Sequence, residues 1–259
     1  MSVNSYLTNL ASSSIIRDAE KISINKSIEN LQSKLKIVDS SFSDHFIFGS
    51  HNRGTILPRT IDENSDIDYM IVFDDNSKKP QSYLNWLKIN IAEKYYSRSE
   101  IYQSNPTVVL ELNHIKFELV PAIKNNWGQL QIPAKASDSD DWIVTNPTGF
   151  NATLTRANQD HNNLIKPLVR LVKYWNVKAG YPFESFSLEQ KVVTNAFYPQ
   201  AKLKDYFYNF ANSLTSDYLM AQWKKDAIAK FKRIVSEASY SERHGMAMDA
   251  ETKIKKLFE

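Results

Sequence analysis

Apolar residues in the first part of the chain recur at spacings of three, four and seven, which is the period of one face of an α-helix. This pattern predicts one long amphipathic helix over residues 15–38, and a second helical pattern covers residues 82–96. Beyond residue 150 the helical period returns. The helices predicted there cover residues 151–165, 166–179, 185–198, about 203–213, and 216–237.

Short apolar runs bounded by polar residues predict strands around residues 46–48, 69–73, 107–112 and 115–123. Asn113-His114 separates the last two runs and predicts a hairpin turn. Residues 124–150 are rich in Asn, Ser, Asp, Pro and Gly, which predicts a long connection. The order of helices and strands along the chain therefore predicts an α+β fold, with a long N-terminal helix, a small mixed sheet and a C-terminal helical half. We expect domains at 1–145 and 146–259, with the first helix packing against both.

Composition is ordinary for a globular protein, with 42% hydrophobic and 24% charged residues in 259. No run approaches 18 uncharged apolar residues, so we predict no membrane segment, and the N-terminal stretch lacks the features of a signal peptide. The absence of cysteine excludes disulfides and thiolate metal sites and favours a cytoplasmic location. A net charge of +3 is too weak to indicate nucleic-acid binding, but it allows a local basic patch that meets phosphates.

Two acids, Asp66 and Asp68, stand one residue apart at the head of an apolar strand, so their side chains point to the same face. Two carboxylates about 4 Å apart repel by roughly 4 kcal/mol at an effective dielectric of 20. A cation would offset that repulsion, and carboxylate oxygens suit Mg²⁺ or Mn²⁺ when phosphate oxygens complete the shell. Glu118, a lone acid in a later apolar strand, is a candidate third ligand.

A Gly-Ser turn at residues 49–50 ends the apolar run that precedes the acids. Such a turn can bring backbone N–H groups and a hydroxyl to a phosphate, and Gly49 permits close approach of the backbone. Each part has a simpler interpretation: a D-x-D is usually a solvated turn or a helix N-cap, and Glu118 could lie on a wet face. The ordered combination is more specific and predicts a two-metal phosphoryl-transfer site.

These motifs together resemble the nucleotidyltransferases of the DNA polymerase β type. They are most similar to the CD-NTase branch, which contains bacterial cyclic-oligonucleotide synthases, cyclic GMP-AMP synthases and oligoadenylate synthases. GSHNRGT is similar to the GSxxxGT form of that branch, and KFELVPAI to the strand that carries its third metal acid. DWIVTNP, RANQDHNNLIKPLVRLVKYWN and ESFSLEQKVV are similar to its later segments, so the resemblance runs from about residue 40 to 195.

The resemblance implies a polymerase-β-like catalytic core with the N-terminal helix at 1–145, and a helical domain at 146–259 that closes the active-site cleft. It implies two Mg²⁺ or Mn²⁺ ions held by the three catalytic acids, Asp66, Asp68 and Glu118. It implies that the triphosphate of an NTP or dNTP substrate contacts Gly49, Ser50, Lys173 and Ser185. The 15 residues between Ser50 and Asp66 exceed the usual spacing, so contacts from Arg53, Thr55 and Arg59 are not carried over.

A basic face of the helix predicted at 166–179 supports this hypothesis independently. Lys166, Arg170 and Lys173 follow each other at spacings of four and three, while apolar residues lie on another face. A solvated charged face is the simpler interpretation. Facing three carboxylates and a triphosphate, however, Lys173 would neutralise charge on the leaving pyrophosphate.

Near the C-terminus, Ser239-Tyr240-Ser241 lies in a small polar segment that predicts a break before a last short helix. A surface tyrosine is the simpler interpretation of Tyr240. The alternative is a primer whose hydroxyl accepts nucleotides. This would be similar to the nucleotidyltransferases of the Hailong anti-phage defence system, in which a C-terminal tyrosine is thought to prime a deoxyadenylate oligomer.

The predicted function is an Mg-dependent nucleotidyltransferase that joins the α-phosphate of an NTP or dNTP to a hydroxyl and releases pyrophosphate, in anti-phage signalling. Its product could be a cyclic or linear oligonucleotide, or a DNA oligomer built on the protein. The alternatives are nucleotidylation of a partner protein or tRNA, of the toxin–antitoxin type, and a silent nucleotide-binding scaffold. The presence of all three acids disfavours the scaffold. A downstream effector, bound directly or through the product, is the expected partner, and the oligomeric state stays open.

Overall fold

The computed structural model describes residues 2–104, 106–134 and 141–259. It contains two compact units, which we describe separately. The sheet unit comprises Ile16–Arg59 and Glu63–Phe150, and the helical unit comprises Met1–Ile15, Thr60–Asp62 and Asn151–Glu259. The division into domains 1–145 and 146–259 stays a prediction. None of the described helices has both the length and the apolar character needed to cross a membrane.

The described part of the sheet unit contains a sheet of seven strands. They are β1 Phe42–Ile47, β2 Asp66–Phe73, β3 Glu100–Ser104, β4 Thr107–Glu111, β5 Lys116–Lys124, β6 Leu130–Pro133 and β7 Trp142–Val144. The first five are ordered β1-β2-β5-β4-β3, and β6 pairs with β5 and β7. Strands β2 and β5 run parallel, while the other pairs run antiparallel. The predicted small mixed sheet is therefore confirmed.

One face of this sheet packs against helices of the same unit. They are α2 Asp18–Leu35 and α4 Pro80–Leu87, which continues as a π-helical turn, Lys88–Glu93, and α5 Lys94–Tyr96. Apolar residues of α2 at helical spacing, Ile24, Ile28, Leu31 and Leu35, share one core with alternate residues of β2 and β5. A 3₁₀ segment, Lys36–Ser41, leads from α2 into β1.

The opposite face of β2 and β5 changes character along the strands. Toward their carboxyl ends it carries a small buried cluster of Met70, Val72, Val120 and Ala122. Residues at alternate positions in a strand share a face, so Asp66, Asp68 and Glu118 lie on this same face, nearer the start of the strands. The buried face of β2 and β5 therefore fixes the register of the two strands, and the acids lie on the opposite face.

The helical unit is built from both ends of the chain. Its helices are α1 Val3–Ser13, α6 Gly149–Asp160, α7 Ile165–Lys178, α8 Ser185–Val193, α9 Leu203–Ser213, α10 Gln222–Arg243 and α11 Ala247–Lys255. Helix α1 buries Val3, Leu7 and Ala11 and packs against α7, α9 and α11. Phe231 of α10 stacks on Trp175 of α7 at 4.2 Å and meets Phe207 of α9 edge-on at 5.4 Å.

The long amphipathic helix predicted over 15–38 is confirmed as α2, although it begins three residues later, since Ile15 is half exposed, and residues 36–38 lie in the 3₁₀ segment. The pattern gave no helix at 3–13, where Ser and Asn are frequent and have weak helix propensity. Ser2 caps α1, since its Oγ accepts a hydrogen bond from the backbone N–H of Ser5 at 3.2 Å. The connection predicted at 124–150 contains β6 and β7, and its residues 135–140 lie outside the described chain.

The break predicted at Ser239-Tyr240-Ser241 is wrong, because α10 continues to Arg243 and Tyr240 lies within it. Buried contacts hold this polar turn in the helix. Ser241 is buried, and its Oγ donates to the carbonyl of Glu237 at 3.0 Å. The chain leaves the helix only at Gly245, whose φ is +76°, before α11.

We expect Phe231→Ala to lower the free energy of unfolding by about 3–5 kcal/mol, since it removes a fully buried ring that contacts two aromatic neighbours. Urea denaturation followed by tryptophan fluorescence measures the change, because Trp175 stacks on the deleted ring. Tyr218→Ala is the matched control: this side chain is exposed and should cost no more than about 0.5 kcal/mol. Equal losses in the two variants would contradict a stabilising role for this aromatic packing.

Candidate active site

The three predicted acids come together on two neighbouring parallel strands. In the register of β2 with β5, Asp66 lies beside Lys116 and Asp68 beside Glu118. Adjacent strands are about 4.8 Å apart, so these four side chains form a compact charged patch on one face of the sheet. Their sequence neighbours Ile67 and Phe117 point the other way, into the core. The pairing of Asp68 with Glu118 could not be known from spacing along the chain.

Lys116 is the member of this patch that the sequence analysis missed. Its Nζ lies 3.5 Å from Asp66 Oδ2 and 3.4 Å from Glu118 Oε1. Burial by itself lowers the pKa of Lys116, but the charges of Asp66 and Glu118 outweigh burial, so the pKa lies above its ordinary value. The sequence did carry a signal for Lys116: it lies two residues before Glu118 in a strand, so the two side chains share one face.

Carboxylate oxygens on this patch are the donors that Mg²⁺ and Mn²⁺ prefer, so the chemistry of the residues fits the expected metal ions. Across the described ranges of the chain, no three His, Asp or Glu side chains already form a ready metal-ligand cluster. The ammonium of Lys116 instead lies close to two of the acids. Metal binding by Asp66, Asp68 and Glu118 stays a prediction.

Gly49 lies directly against the Asp68 carboxylate. A Cβ built on Gly49 would be 1.7 Å from Asp68 Oδ2, which no side chain could tolerate without displacing the acid. Its φ of +70° also favours glycine. The backbone N–H of Phe48 donates to the carbonyl of Asp68 at 3.0 Å and fixes the turn beside the strand. The Gly-Ser turn is therefore shaped around Asp68.

The rest of the GSHNRGT motif forms a turn that is held by hydrogen bonds to the carbonyl of Ser50. Residues Gly49–Arg53 form the short helix α3, and the carbonyl of Ser50 accepts hydrogen bonds from the backbone N–H groups of Thr55 at 3.0 Å and Ile56 at 3.2 Å. Thr55 is fully buried, and Gly54 ends the helix with φ +70°. This closed turn holds Ser50 next to Gly49, while the contact of both with a triphosphate stays a prediction.

The arginines of the following loop have structural partners. The guanidinium of Arg53 is buried and lies over the ring of Phe150, 5.7 Å from its centroid. Arg59 pairs with Glu111 at 2.8 Å, which ties the loop to the end of β4. These contacts give both arginines a structural role that does not require a substrate.

In the helical unit, Lys173 lies in α7 and Ser185 is the exposed first residue of α8. Lys173 and Arg170 are both buried, so a fully solvated basic face is wrong. Arg170 Nε donates to the carbonyl of Ala11 at the end of α1 at 3.2 Å, and burial lowers its pKa to about 10. Arg170 thus stabilises the helical unit. Triphosphate contacts of Lys173 and Ser185 stay predictions.

A short part of the long loop between β1 and β2 belongs to the helical unit and is held there by a hydrogen bond. Its residues Thr60–Asp62 belong to that unit, where the hydroxyl of Tyr181 donates to Asp62 Oδ1 at 2.6 Å. Tyr181 has φ 61°, and its backbone N–H donates to the carbonyl of Asn176 at 2.8 Å. No local pattern in the sequence indicated this hydrogen bond between residues 119 positions apart.

The fold is that of a nucleotidyltransferase of the polymerase β type. Its defining features are a mixed sheet with acids on two neighbouring parallel strands, a Gly-Ser turn against one of the acids, and a helical half. A family model confirms the class: the Second Messenger Oligonucleotide or Dinucleotide Synthetase domain (SMODS) matches residues 1–158. The chain belongs to this family. The predicted α+β fold and the resemblance to the CD-NTase branch are therefore confirmed, whereas the closer resemblance to Hailong stays a prediction.

Two curated relatives are 25% identical to the chain. A cyclic AMP-AMP-AMP synthase of an Acinetobacter species aligns over 181 residues, which is 67% of this chain and 52% of that protein. The chain thus spans about half the length of this relative. A probable cyclic nucleotide synthase of Bacillus cereus aligns over 246 residues, which is 75% of this chain and 72% of that protein.

Solved structures of CD-NTases share the fold at low sequence identity. Bradyrhizobium diazoefficiens CdnG, in complex with GTP, superposes with a TM-score of 0.72 at 10% identity, covering 98% of each chain. E. coli MS115-1 CdnC, in complex with HORMA-deltaN, gives a TM-score of 0.70 at 14% identity, covering 97% of this chain and 96% of CdnC. The similarity extends over both units of the chain.

We expect Gly49→Ala to destabilise the protein more than Gly54→Ala, although both glycines have the same φ of +70°. Alanine at either position costs about 1–2 kcal/mol in the left-handed region. Only residue 49 would also collide with Asp68, since nothing lies within 4 Å of a Cβ at Gly54, and the collision should add about 1–3 kcal/mol. Urea denaturation of the two variants measures the difference, and equal losses would show that the Gly49–Asp68 contact is unimportant.

Proposed function

We propose that the protein is a metal-dependent nucleotidyltransferase that joins the α-phosphate of an NTP or dNTP to a hydroxyl and releases pyrophosphate. One observation carries this proposal: Asp66, Asp68 and Glu118 share one face of two parallel strands in register. A binding scaffold has no need to retain three mutually repelling acids at one place. In the bond change, the hydroxyl oxygen bonds to the α-phosphorus, the bond to the β-phosphate oxygen breaks, and pyrophosphate carries away the electron pair.

In this proposal Asp66, Asp68 and Glu118 would hold Mg²⁺ or Mn²⁺. When bound, such ions neutralise the charge of the triphosphate and lower the pKa of an attacking hydroxyl. Glu118 would accept the proton of that hydroxyl. Gly49 supports this chemistry by leaving room for the Asp68 carboxylate beside the turn.

The triphosphate contacts implied by the resemblance remain part of the proposal. Gly49 and Ser50 would present backbone N–H groups and a hydroxyl to it. Lys173 would neutralise the leaving pyrophosphate, and Ser185 would add a hydroxyl. In support, the turn that holds Ser50 is closed by hydrogen bonds, and Lys173 lies in a well-packed helix.

We expect Asp66→Asn and Asp68→Asn each to reduce pyrophosphate release by on the order of 10²–10³-fold or more, since each removes a charge that holds the metal ions. The assay measures pyrophosphate from each NTP and dNTP with Mg²⁺ or Mn²⁺. Asp44→Asn is the matched control, because Asp44 is an exposed acid on β1 of the same sheet. An Asp66 or Asp68 variant as active as the wild type would refute the mechanism.

For the product, we favour an oligonucleotide signal, cyclic or linear, made in anti-phage defence and read by an effector protein. The relatives named as cyclic nucleotide synthases support this class of product. Incubation with each labelled NTP and dNTP, followed by separation of free and protein-bound label, distinguishes a released oligonucleotide from one built on the protein. Label found only on an added partner protein or tRNA would favour nucleotidylation instead.

A protein-linked oligomer primed on Tyr240 is the second candidate. Tyr240 is 55% exposed on α10, and its ring packs on His244 with centroids 4.0 Å apart. Tyr240 is therefore accessible to solvent on one side of α10, which is compatible with an acceptor.

If Tyr240 is the primer, intact-mass analysis after incubation with every NTP and dNTP should show added nucleotides on the wild type and none on Tyr240→Phe. Tyr218→Phe is the control and should be modified like the wild type, since Tyr218 is also exposed in the helical unit. An unmodified wild-type mass would exclude priming on any residue of the chain. Modification of Tyr240→Phe would exclude Tyr240.

A further inference from the structure

We propose that Lys116 is a built-in counter-ion of the acidic patch, and that its ammonium competes with a divalent metal ion for Asp66 and Glu118. The inference rests on the proposed function, because it requires the acids to bind metal. It assigns to Lys116 a positioning role: the residue would act on the acids and, through them, on when metal binds.

The geometry is that of a shared counter-ion. One ammonium lies within 3.5 Å of carboxylate oxygens on two different strands, Asp66 Oδ2 on β2 and Glu118 Oε1 on β5. The Lys116 side chain is 13% exposed, about half the exposure of either acid, so it does not extend into solvent like an ordinary surface lysine. Its place is set by the backbone, because Lys116 is the register partner of Asp66.

An isolated surface salt bridge is the simpler interpretation, and such pairs contribute little to stability. Two features separate Lys116 from that case. The ammonium contacts two acids that would otherwise repel each other, and all three side chains are at least partly shielded from water. Removing the ammonium from such a cluster increases the net repulsion between the two acids, which costs more than losing an exposed pair.

The same ammonium opposes a metal ion at this patch. A divalent cation bound by Asp66 and Glu118 would meet a positive charge already at hydrogen-bond range of both, and the two cations repel. A nucleoside triphosphate would relieve this repulsion, because its phosphate oxygens offer the ammonium another anion. The protein should therefore bind free metal weakly and metal together with nucleotide more strongly.

The experiment measures Mn²⁺ binding to the full chain by electron paramagnetic resonance, with and without a non-hydrolysable NTP, and thermal unfolding with and without Mn²⁺. We expect Lys116→Met to bind free Mn²⁺ on the order of tenfold more tightly than the wild type. We also expect a lower melting temperature without metal, which Mn²⁺ restores, and a smaller gain in Mn²⁺ affinity from nucleotide. Lys124→Met, at the exposed end of the same strand, is the matched control and should behave like the wild type.

Two outcomes separate this inference from the proposed function. If neither the wild type nor Lys116→Met binds Mn²⁺ under any condition, the metal chemistry of the proposed function fails, and the inference fails with it. If the wild type binds Mn²⁺ and Lys116→Met has the same affinity and the same metal-free melting temperature, only the counter-ion role is overturned.

A second variant covers the case in which Lys116→Met does not fold without metal. The double variant Lys116→Met/Glu118→Gln removes one charge of each sign and should regain most of the metal-free stability. A double variant as unstable as the single one would show that Lys116 acts by packing, which would overturn the proposal.

Discussion

Mutual repulsion of carboxylates on one face of two parallel strands is the constraint on which the rest of this structure depends. Asp66, Asp68 and Glu118 are held close together because β2 and β5 pair in a fixed register. Like charges at such distances oppose folding, so the surroundings must compensate. Lys116 supplies positive charge at the patch, and Gly49 supplies room beside Asp68. The acids are thus tolerated through specific neighbours.

The fixed register in turn depends on the hydrophobic core. A shift of one residue between β2 and β5 would turn the buried residues of the strand that slips, such as Ile67 of β2 or Phe117 of β5, toward the face of the acids. That shift would expose apolar surface and bury carboxylates, so the core favours a single arrangement of the charged patch. The same residues therefore determine stability and the geometry of the site, and a destabilising change in the core would also disturb the acids.

Much of this arrangement could be predicted from the sequence. The order of helices and strands, the shared face of Asp66 and Asp68, and the candidacy of Glu118 follow from periodicity and isolated acids. What could not be predicted depends on neighbours distant in sequence: the pairing of β2 with β5, the contacts of Lys116, and the bond from Tyr181 to Asp62. Local polarity was also misleading at Ser241, where buried contacts keep a polar turn helical.

The position of α1 has a consequence for how the chain folds during synthesis. Its buried residues Val3, Leu7 and Ala11 pack in a unit whose other helices come after residue 148. Translation at about 5–20 residues per second leaves α1 without α7, α9 and α11 for several seconds or more, while the whole sheet unit is being made. An isolated helix of 11 residues is marginal in water, so α1 would become stable only after these later helices have been made.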